Sequence, residues 1–461
     1  MKLLPFDFKI IDNKFLLIND SGEFIFLNES NFQNLIGYKK LNQNLKNKFW
    51  FDPKDNLHPL IRKYQRSKIY LNRGTTLFIL VLTNRCNLNC VYCQANKKIS
   101  SSSYYDMSMG TAKSAVDFIF QSPSKNVVIE FQGGEPLINF EVLKFIVKYV
   151  REYQKLFDKT IEMNLVSNLV SLDEKKLQFL IQNKVNICTS LDGNKVVHDY
   201  NRPGLSGGSY ECLINKLKLI NKVSYSLRLK TKINAIQTTT RISFNFFKEI
   251  IDTYVSLGFN SIFLRPINPF GKAIVNKEKI GYSPYEYLDF YNRSLKYILD
   301  LNKSGHPFIE NTARIFLKKI MRADDGSYVD LRSPCGATIG QLAINYDGCL
   351  YTCDEGRILS EMGDRTFKIG AVETSTYEDT IKNLVTKTAC LASCSECSQR
   401  CYQCVYRPYC GTCPVINYVT EKDIFKNSSY RCIINEGILD TIFKTIKNKE
   451  VNTIFNRWVE G

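Results

Sequence analysis

From about residue 74 to residue 267, apolar runs alternate six times with amphipathic stretches, and this rhythm constrains the fold more than any other feature of the 461-residue chain. The strand candidates are "LFILVLT" (77–83), "VVIEFQG" (127–133), "IEMNLVS" (161–167), "VNICTSLDG" (185–193), "RLKTKINAIQ" (228–237) and "SIFLRPI" (261–267). Helix candidates fall near 109–121, 140–156, 173–183, 209–222 and 243–257. Such alternation predicts a parallel sheet with right-handed crossovers. Six repeats are too few for a full eight-unit barrel, so a partial α/β barrel is expected, with functional residues at the C-terminal strand ends.

The cysteines follow that frame. There are sixteen; eleven lie between Cys335 and Cys432, three are Cys86, Cys90 and Cys93, and Cys188 and Cys212 stand alone. The N-terminal "MKLLPFDFKIID" interrupts any apolar signal stretch with Asp7 and Lys9, and Leu77 to Leu82 is too short to span a bilayer. A cytoplasmic, soluble chain is therefore expected, with no membrane partner. In that compartment cysteine patterns are metal-binding or catalytic more often than disulfide frameworks. The two lone cysteines read as buried thiols.

"TNRCNLNCVYCQA" directly follows the first strand and spaces its cysteines by three residues, then two. Three thiolates on one loop can hold three irons of a four-iron cluster and leave the fourth open. A zinc ion borrowing a distant cysteine is the competing reading. The formal charge of +17 falls to about +12 if three clusters are bound, two through four thiolates and one through three. Lysines are spread along stretches such as "LINKLKLINK", so no nucleic-acid groove is expected.

The spacing of Cys86, Cys90 and Cys93, with Tyr92 before the last cysteine, resembles the signature of the radical SAM superfamily. The resemblance implies that S-adenosylmethionine chelates the open iron and is cleaved to a 5′-deoxyadenosyl radical. "FQGGEP", with Gly133, Gly134, Glu135 and Pro136, resembles the family motif that binds the methionyl amino group. Two glycines suit close backbone approach. By family placement, Ser167, Asn168, Ser190 and Asp192 line the cofactor site at the strand ends, and Arg265 contacts a substrate or cofactor carboxylate. His198 and Arg202 in "HDYNRPG" fit the pattern of the peptide-modifying branch; His198 reads equally as a structural hydrogen-bonder.

The C-terminal cysteines resemble the SPASM extension, which houses two auxiliary four-iron clusters. The resemblance assigns Cys401, Cys404, Cys410 and Cys432 to one cluster and Cys335, Cys353 and Cys413 to the other. Cys349 is the nearest candidate for the missing ligand. Here the last gap has two residues where the family usually has three. Paired C-x2-C units also suit zinc, but a five-residue gap is short for a zinc ribbon. Cys390, Cys394 and Cys397 fit no assigned position; completing a cluster, holding another metal, and remaining free all stay open. Asp354, directly after Cys353, reads either as a proton acceptor during oxidation of a substrate radical or as a surface carboxylate.

The expected architecture is thus α/β: a partial (β/α)6 TIM-like barrel of radical SAM type (74–330), a cysteine-rich SPASM domain (331–440), a C-terminal helix (441–461) and a small N-terminal α+β module (1–73). In the N-terminal module, "FKIIDNKFLLIND" and "GEFIFLN" read as two strands joined at "DSG", with "ESNFQNLIG" as a helix. It resembles precursor-peptide recognition modules, and equally suits an extension packed on the main domain. "YCQA", "FLRPINPFG", "LYTCDEGR" and "RPYCGTCPV" are similar to the maturase of the His-Xaa-Ser peptide system. That implies an oxidoreductase forming an intrapeptide crosslink in a precursor peptide. Its partners would be a flavodoxin- or ferredoxin-type reductant and a possible second maturase. The alternatives are formylglycine formation in a sulfatase and a non-catalytic electron carrier or leader binder.

Overall fold

The structure is a computed structural model, which describes residues 2–37, 43–51, 59–98, 101–204, 206, 208–229, 233–324 and 328–460. Two compact units account for it: Arg73–Ile298 with Ala337–Thr388, and Met1–Asn72 with Leu299–Gly336 and Ala389–Gly461. Both are built from stretches far apart in sequence.

In the second-named unit, three antiparallel strands open the chain: β1 (Phe6–Ile11), β2 (Lys14–Asn19) and β3 (Phe24–Leu27). The expected single first strand is a hairpin. Asp12 and Asn13 take φ of 48° and 58°, the left-handed pair a two-residue turn demands. Helix Glu29–Ile36 follows, its start capped by Asn28, which accepts from the Asn31 N–H. Leu17, Leu27, Phe32, Leu35, Leu45 and Phe49 form the local core. Farther along, helices Asn311–Arg322, Ser429–Thr445 and Lys449–Glu460 carry apolar faces, and Trp458 is buried.

The larger unit holds a nine-stranded sheet. Its strands are β4 (Leu77–Thr83), β5 (Asn126–Gly133), β6 (Thr160–Ser167), β7 (Val185–Ser190), β8 (Ile233–Thr238), β9 (Leu264–Arg265), β10 (Gln341–Ile344), β11 (Cys349–Tyr351) and β12 (Lys368–Ala371). Their order is β9-β8-β7-β6-β5-β4-β10-β11-β12. From β9 through β10 every pairing is parallel; β11 and β12 run antiparallel. The first four expected strands are present; the fifth runs over Ile233–Thr238, with residues 230–232 outside the described residues, and the sixth is broken into Ser261–Ile262 and Leu264–Arg265, of which only the second joins this sheet.

The central strand β4 is buried from Phe78 to Thr83, as a strand covered on both faces must be. Each of its large apolar side chains contributes about 1.5–3 kcal/mol by leaving water. Helices Met109–Phe120, Phe140–Tyr153 and Glu174–Gln182 cross between the strands and bury apolar stripes. β10 and β11 make the expected hairpin at Asp347–Gly348. This hairpin pairs with β4, so the stretch assigned by sequence to the cysteine-rich domain extends the barrel sheet. Among the described residues no helix is long and apolar enough to cross a membrane.

Candidate functional site

The loop after β4 carries the three cysteines, and its backbone is held from several sides. Cys86 N–H donates to Lys98 O at 3.3 Å, Asn89 N–H to Pro203 O at 2.8 Å, and Val91 N–H to Asn201 O at 2.9 Å. Cys93 N–H closes a turn on Cys90 O at 3.3 Å, and Lys272 N–H donates to Cys93 O at 2.9 Å. Arg85 fixes the loop's entry through its ion pair with Asp106 at 2.5 Å.

The sulfur atoms face hydrogen-bond donors. Leu88 N–H lies 3.5 Å from Cys86 Sγ, Asn168 Nδ2 3.8 Å from the same sulfur, and Arg202 Nη1 3.9 Å from Cys90 Sγ. Burial pushes the Cys86 thiol up to about 12 and raises Cys90, while the Arg202 guanidinium opposes the rise at Cys90. Donors aimed at sulfur stabilise thiolate and suit a thiolate-held cluster. Among the described residues no three His, Cys, Asp or Glu side chains already surround one point closely enough to hold a metal ion. The donor set at Cys86, Cys90 and Cys93, three thiols on one loop with donors turned toward two of them, fits a cluster whose irons each take a separate thiolate.

Gly133 and Gly134 meet the protein's own backbone. A Cβ on Gly133, at φ +150°, would lie 2.2 Å from Thr83 O, and one on Gly134 would lie 2.2 Å from Arg85 O. The glycines therefore let β5 cross the root of the cysteine loop, a requirement that ligand approach alone did not reveal. Glu135 is fully buried. Its carboxylate accepts from Leu137 N–H at 3.0 Å, Ser167 Oγ at 2.7 Å and Asn168 N–H at 2.8 Å. Burial still raises its pKa. Thus Glu135, Ser167 and Asn168 form one hydrogen-bonded group at the ends of β5 and β6, and Asn168 continues it to Asn87 at 2.9 Å.

A second group gathers at the end of β7. Asp192 is fully buried. It accepts from Tyr92 Oη at 2.8 and 3.0 Å, Arg202 Nε at 2.9 Å and Thr238 N–H at 3.1 Å. Arg202 also donates to Tyr92 Oη and stacks over its ring at 5.3 Å. Asp192 N–H donates to His198 Nδ1 at 3.3 Å. Burial pushes His198 down to about 4, which favours the neutral imidazole. Ser190 is half-buried at the end of β7, beside Ile236 of β8.

Sequence reasoning missed the acid on β5. Strand alternation turns Val128, Glu130 and Gln132 away from the buried face of Val127, Ile129 and Phe131. Glu130 accepts from Gln132 Nε2 at 2.6 Å. Burial raises its pKa, with Asp354 adding to the rise and Arg265 opposing it. Arg265 and Glu130 also act on the Cys188 thiol, which burial pushes up to about 12. Glu130, Asp354, Arg265 and Cys188 thus share one polar region of the barrel. A lone acid two residues before Gln132 in an apolar run was the only available signal.

Asp354 opens helix Asp354–Glu361, and Oδ1 accepts from Arg357 Nε at 3.0 Å and Nη2 at 2.7 Å. Cys353 caps that helix, its sulfur accepting from Gly356 N–H at 3.4 Å. Cys349 stands at the opposite end of β11 from Cys353.

In the smaller unit, burial raises the thiols of Cys404, Cys410 and Cys432, and neighbours among Cys401, Cys410 and Cys432 add to the rise. Asn427 Nδ2 lies 2.9 Å from Cys401 Sγ, and Asn435 Nδ2 lies 3.4 Å from Cys410 Sγ. Cys335 and Cys413 belong to this unit; Cys353 belongs to the other. A Cβ on Gly411 would lie 2.7 Å from Asp330 O, so the Cys413 and Cys335 segments run side by side.

Residues 80–236 match the radical SAM superfamily. The cysteine-type anaerobic sulfatase-maturating enzyme of Clostridium novyi is 23% identical over 357 residues, covering 73% of this chain and 87% of that enzyme. The structure of native anSMEcpe with bound AdoMet is similar with TM-score 0.69 at 18% identity, over 83% of this chain and 100% of that one. Streptococcus suis SuiB bound to precursor peptide SuiA is similar with TM-score 0.56 at 15% identity, over 93% of this chain and 99% of that one. Residues 80–236 therefore form a radical SAM domain, and the fold of the chain is shared with those two structures.

Proposed function

We propose that this chain is a radical S-adenosylmethionine enzyme that crosslinks residues within a ribosomally made precursor peptide. The observation that carries the reading is the cysteine loop after β4, with N–H donors turned toward Cys86 and Cys90. A four-iron cluster and S-adenosylmethionine, when bound at Cys86, Cys90 and Cys93, supply a hydrogen-abstracting radical.

The chain's own residues do the rest. Tyr92, Asp192 and Arg202 brace the loop, and the Glu135, Ser167 and Asn168 group fixes the adjoining strand ends. Glu130, Gln132 and Arg265 give the barrel polar anchors for a peptide backbone. Asp354 accepts the proton released as a substrate radical is oxidised; Arg357 occupies Oδ1 and Oδ2 is left for that proton. The Cys401, Cys404, Cys410 and Cys432 group, and Cys335 with Cys413, would hold auxiliary clusters. They make three with the first, and a flavodoxin or ferredoxin would be the reductant. Residues 1–73 would recognise the leader segment, with a second maturase as a possible partner, in the cytoplasm.

A second reading is formylglycine formation in a sulfatase, favoured by the sulfatase-maturating relatives and the Cys353-Asp354 pair. Anaerobic protein, reconstituted and given S-adenosylmethionine and dithionite, is expected to form 5′-deoxyadenosine; none would end both readings. Mass spectrometry of a co-expressed precursor peptide separates them. Loss of two hydrogens with no hydrazine-reactive aldehyde supports crosslinking, and conversion of a sulfatase-type cysteine or serine peptide to the aldehyde, which for serine also removes two hydrogens, supports the rival.

A further inference from the structure

Three cysteines remain outside every role described so far. "CLASCSEC" places Cys390, Cys394 and Cys397 at a spacing of three residues, then two, the same as Cys86, Cys90 and Cys93. We infer that these three thiols form a further iron–sulfur site, distinct from the groups at Cys401–Cys432 and at Cys335 and Cys413.

The local backbone repeats that of the other cysteine pairs. Cys397 N–H donates to Cys394 O at 3.0 Å. The same turn joins Cys93 to Cys90 at 3.3 Å and Cys404 to Cys401 at 3.0 Å. A turn of this kind brings the two flanking thiols of a C-x2-C pair to one side. Cys390 ends the set on the last turn of helix Leu384–Ala392, and Cys394 Sγ lies 3.4 Å from Cys390 O.

The polar side chains between the cysteines are all committed to anchoring the loop. Ser393 Oγ accepts from Cys335 N–H at 2.9 Å and donates to Ala389 O at 2.8 Å. Ser395 N–H donates to Ser333 Oγ at 2.9 Å, and Glu396 accepts from Ser333 Oγ at 2.8 Å and pairs with Lys68 at 3.2 Å. The segment is thereby anchored by its backbone and its serine and glutamate side chains. Cys397 is exposed, which gives iron and sulfide an entry path.

The ligand count favours a cluster over zinc. A structural zinc is closed by four protein ligands. Three thiolates at this spacing suit a four-iron cluster with one open iron.

The test uses the full chain, reconstituted anaerobically with iron and sulfide, beside Cys390→Ser/Cys394→Ser/Cys397→Ser. The triple variant should hold about four fewer irons and four fewer sulfides per chain and still form 5′-deoxyadenosine within about twofold of the parent. Unchanged iron overturns the inference, as does loss of one zinc in place of iron. Cys397→Ser alone, at an exposed position, should also lower the iron content; if it binds iron like the parent, the site is not one. Combining the triple variant with Cys335→Ser/Cys413→Ser distinguishes a separate site from a shared one. The iron losses should add; a combined loss no larger than either alone overturns the separation. The comparison is with the parent chain, so failure to cleave S-adenosylmethionine would remove the reading above and leave this one standing.

Discussion

Arg202 Nε lies 2.9 Å from Asp192 Oδ2 in an ion pair buried on both sides, and Nη1 of the same guanidinium reaches Cys90 Sγ at 3.9 Å. One side chain thus joins the end of β7 to the cysteine loop after β4. Removing one partner of a buried pair costs about 3–5 kcal/mol, because the other charge stays behind unpaired. Arg202→Ala is expected to lose about that much stability in denaturant unfolding and to reconstitute with less iron. Arg202→Lys keeps the charge but cannot serve Asp192, Tyr92 and Cys90 together, so it should recover stability in part and iron loading poorly.

Asp354 separates radical formation from product formation. Its contacts are with Arg357 and its electrostatic neighbour is Glu130, not the cysteine loop. Asp354→Asn should leave 5′-deoxyadenosine formation intact and lower peptide product about 10²–10⁴-fold, the usual range for loss of a positioned base. Quantifying both products in one reaction checks this; equal loss of the two would refute a base role.

The barrel was legible because each parallel strand is covered on both faces and reads as a continuous apolar run, as in "LFILVLT". The site motifs were legible because they sit at the strand ends. Contacts distant in sequence were not. Nothing local in "QLAI" says that it pairs with Leu77–Leu80, so the hairpin after Gln341 looked like part of the cysteine-rich region. Glu130 was missed because a charged residue inside a strand normally marks the solvent face, whereas here that face looks into the barrel. The first hairpin was missed because Asp12–Asn13 lacks the glycine that usually announces such a turn.

Gly134→Ala tests why the paired glycines are there. Its Cβ would lie 2.2 Å from Arg85 O, so β5 or the residue before Cys86 must move. The expected result is a folded protein with lowered iron at Cys86, Cys90 and Cys93 and little 5′-deoxyadenosine. Iron analysis in a background lacking the C-terminal cysteines isolates that cluster. Normal loading would show that the crossing tolerates a methyl group.

His198 makes stability sensitive to acid. Burial lowers its pKa to about 4 from an ordinary 6.5, so the unfolded chain binds the proton first. The contribution is fully present above about pH 6.5 and is lost as pH falls toward 4. At about 1.4 kcal/mol per pH unit, the effect is a few kcal/mol. His198→Gln should flatten the fall in stability across that window, measured as denaturant midpoints from pH 7 to pH 4; an unchanged slope would assign the acid sensitivity elsewhere.

Glu130 has the opposite sign. Burial raises its pKa above the usual carboxylate value, Asp354 adds to the rise, and Gln132 and Arg265 only partly offset it. The folded state therefore holds the proton more tightly than the unfolded chain, and this residue's contribution to stability declines as pH rises from about 4.5 through the raised value. A buried acid retained at a stability cost is what a functional position looks like. Glu130→Gln keeps the shape and the hydrogen bond to Gln132 while removing the charge. It should be more stable than the parent at pH 8, and the difference should vanish toward pH 4. Cleavage of S-adenosylmethionine should persist, because Glu130 is part of neither the cysteine loop nor the Glu135 group. Peptide product should fall, with a rise in KM if Glu130 anchors the backbone and a fall in kcat if it shares protons with Asp354. A variant equal to the parent in both stability and peptide turnover would leave the acid without a role in the barrel.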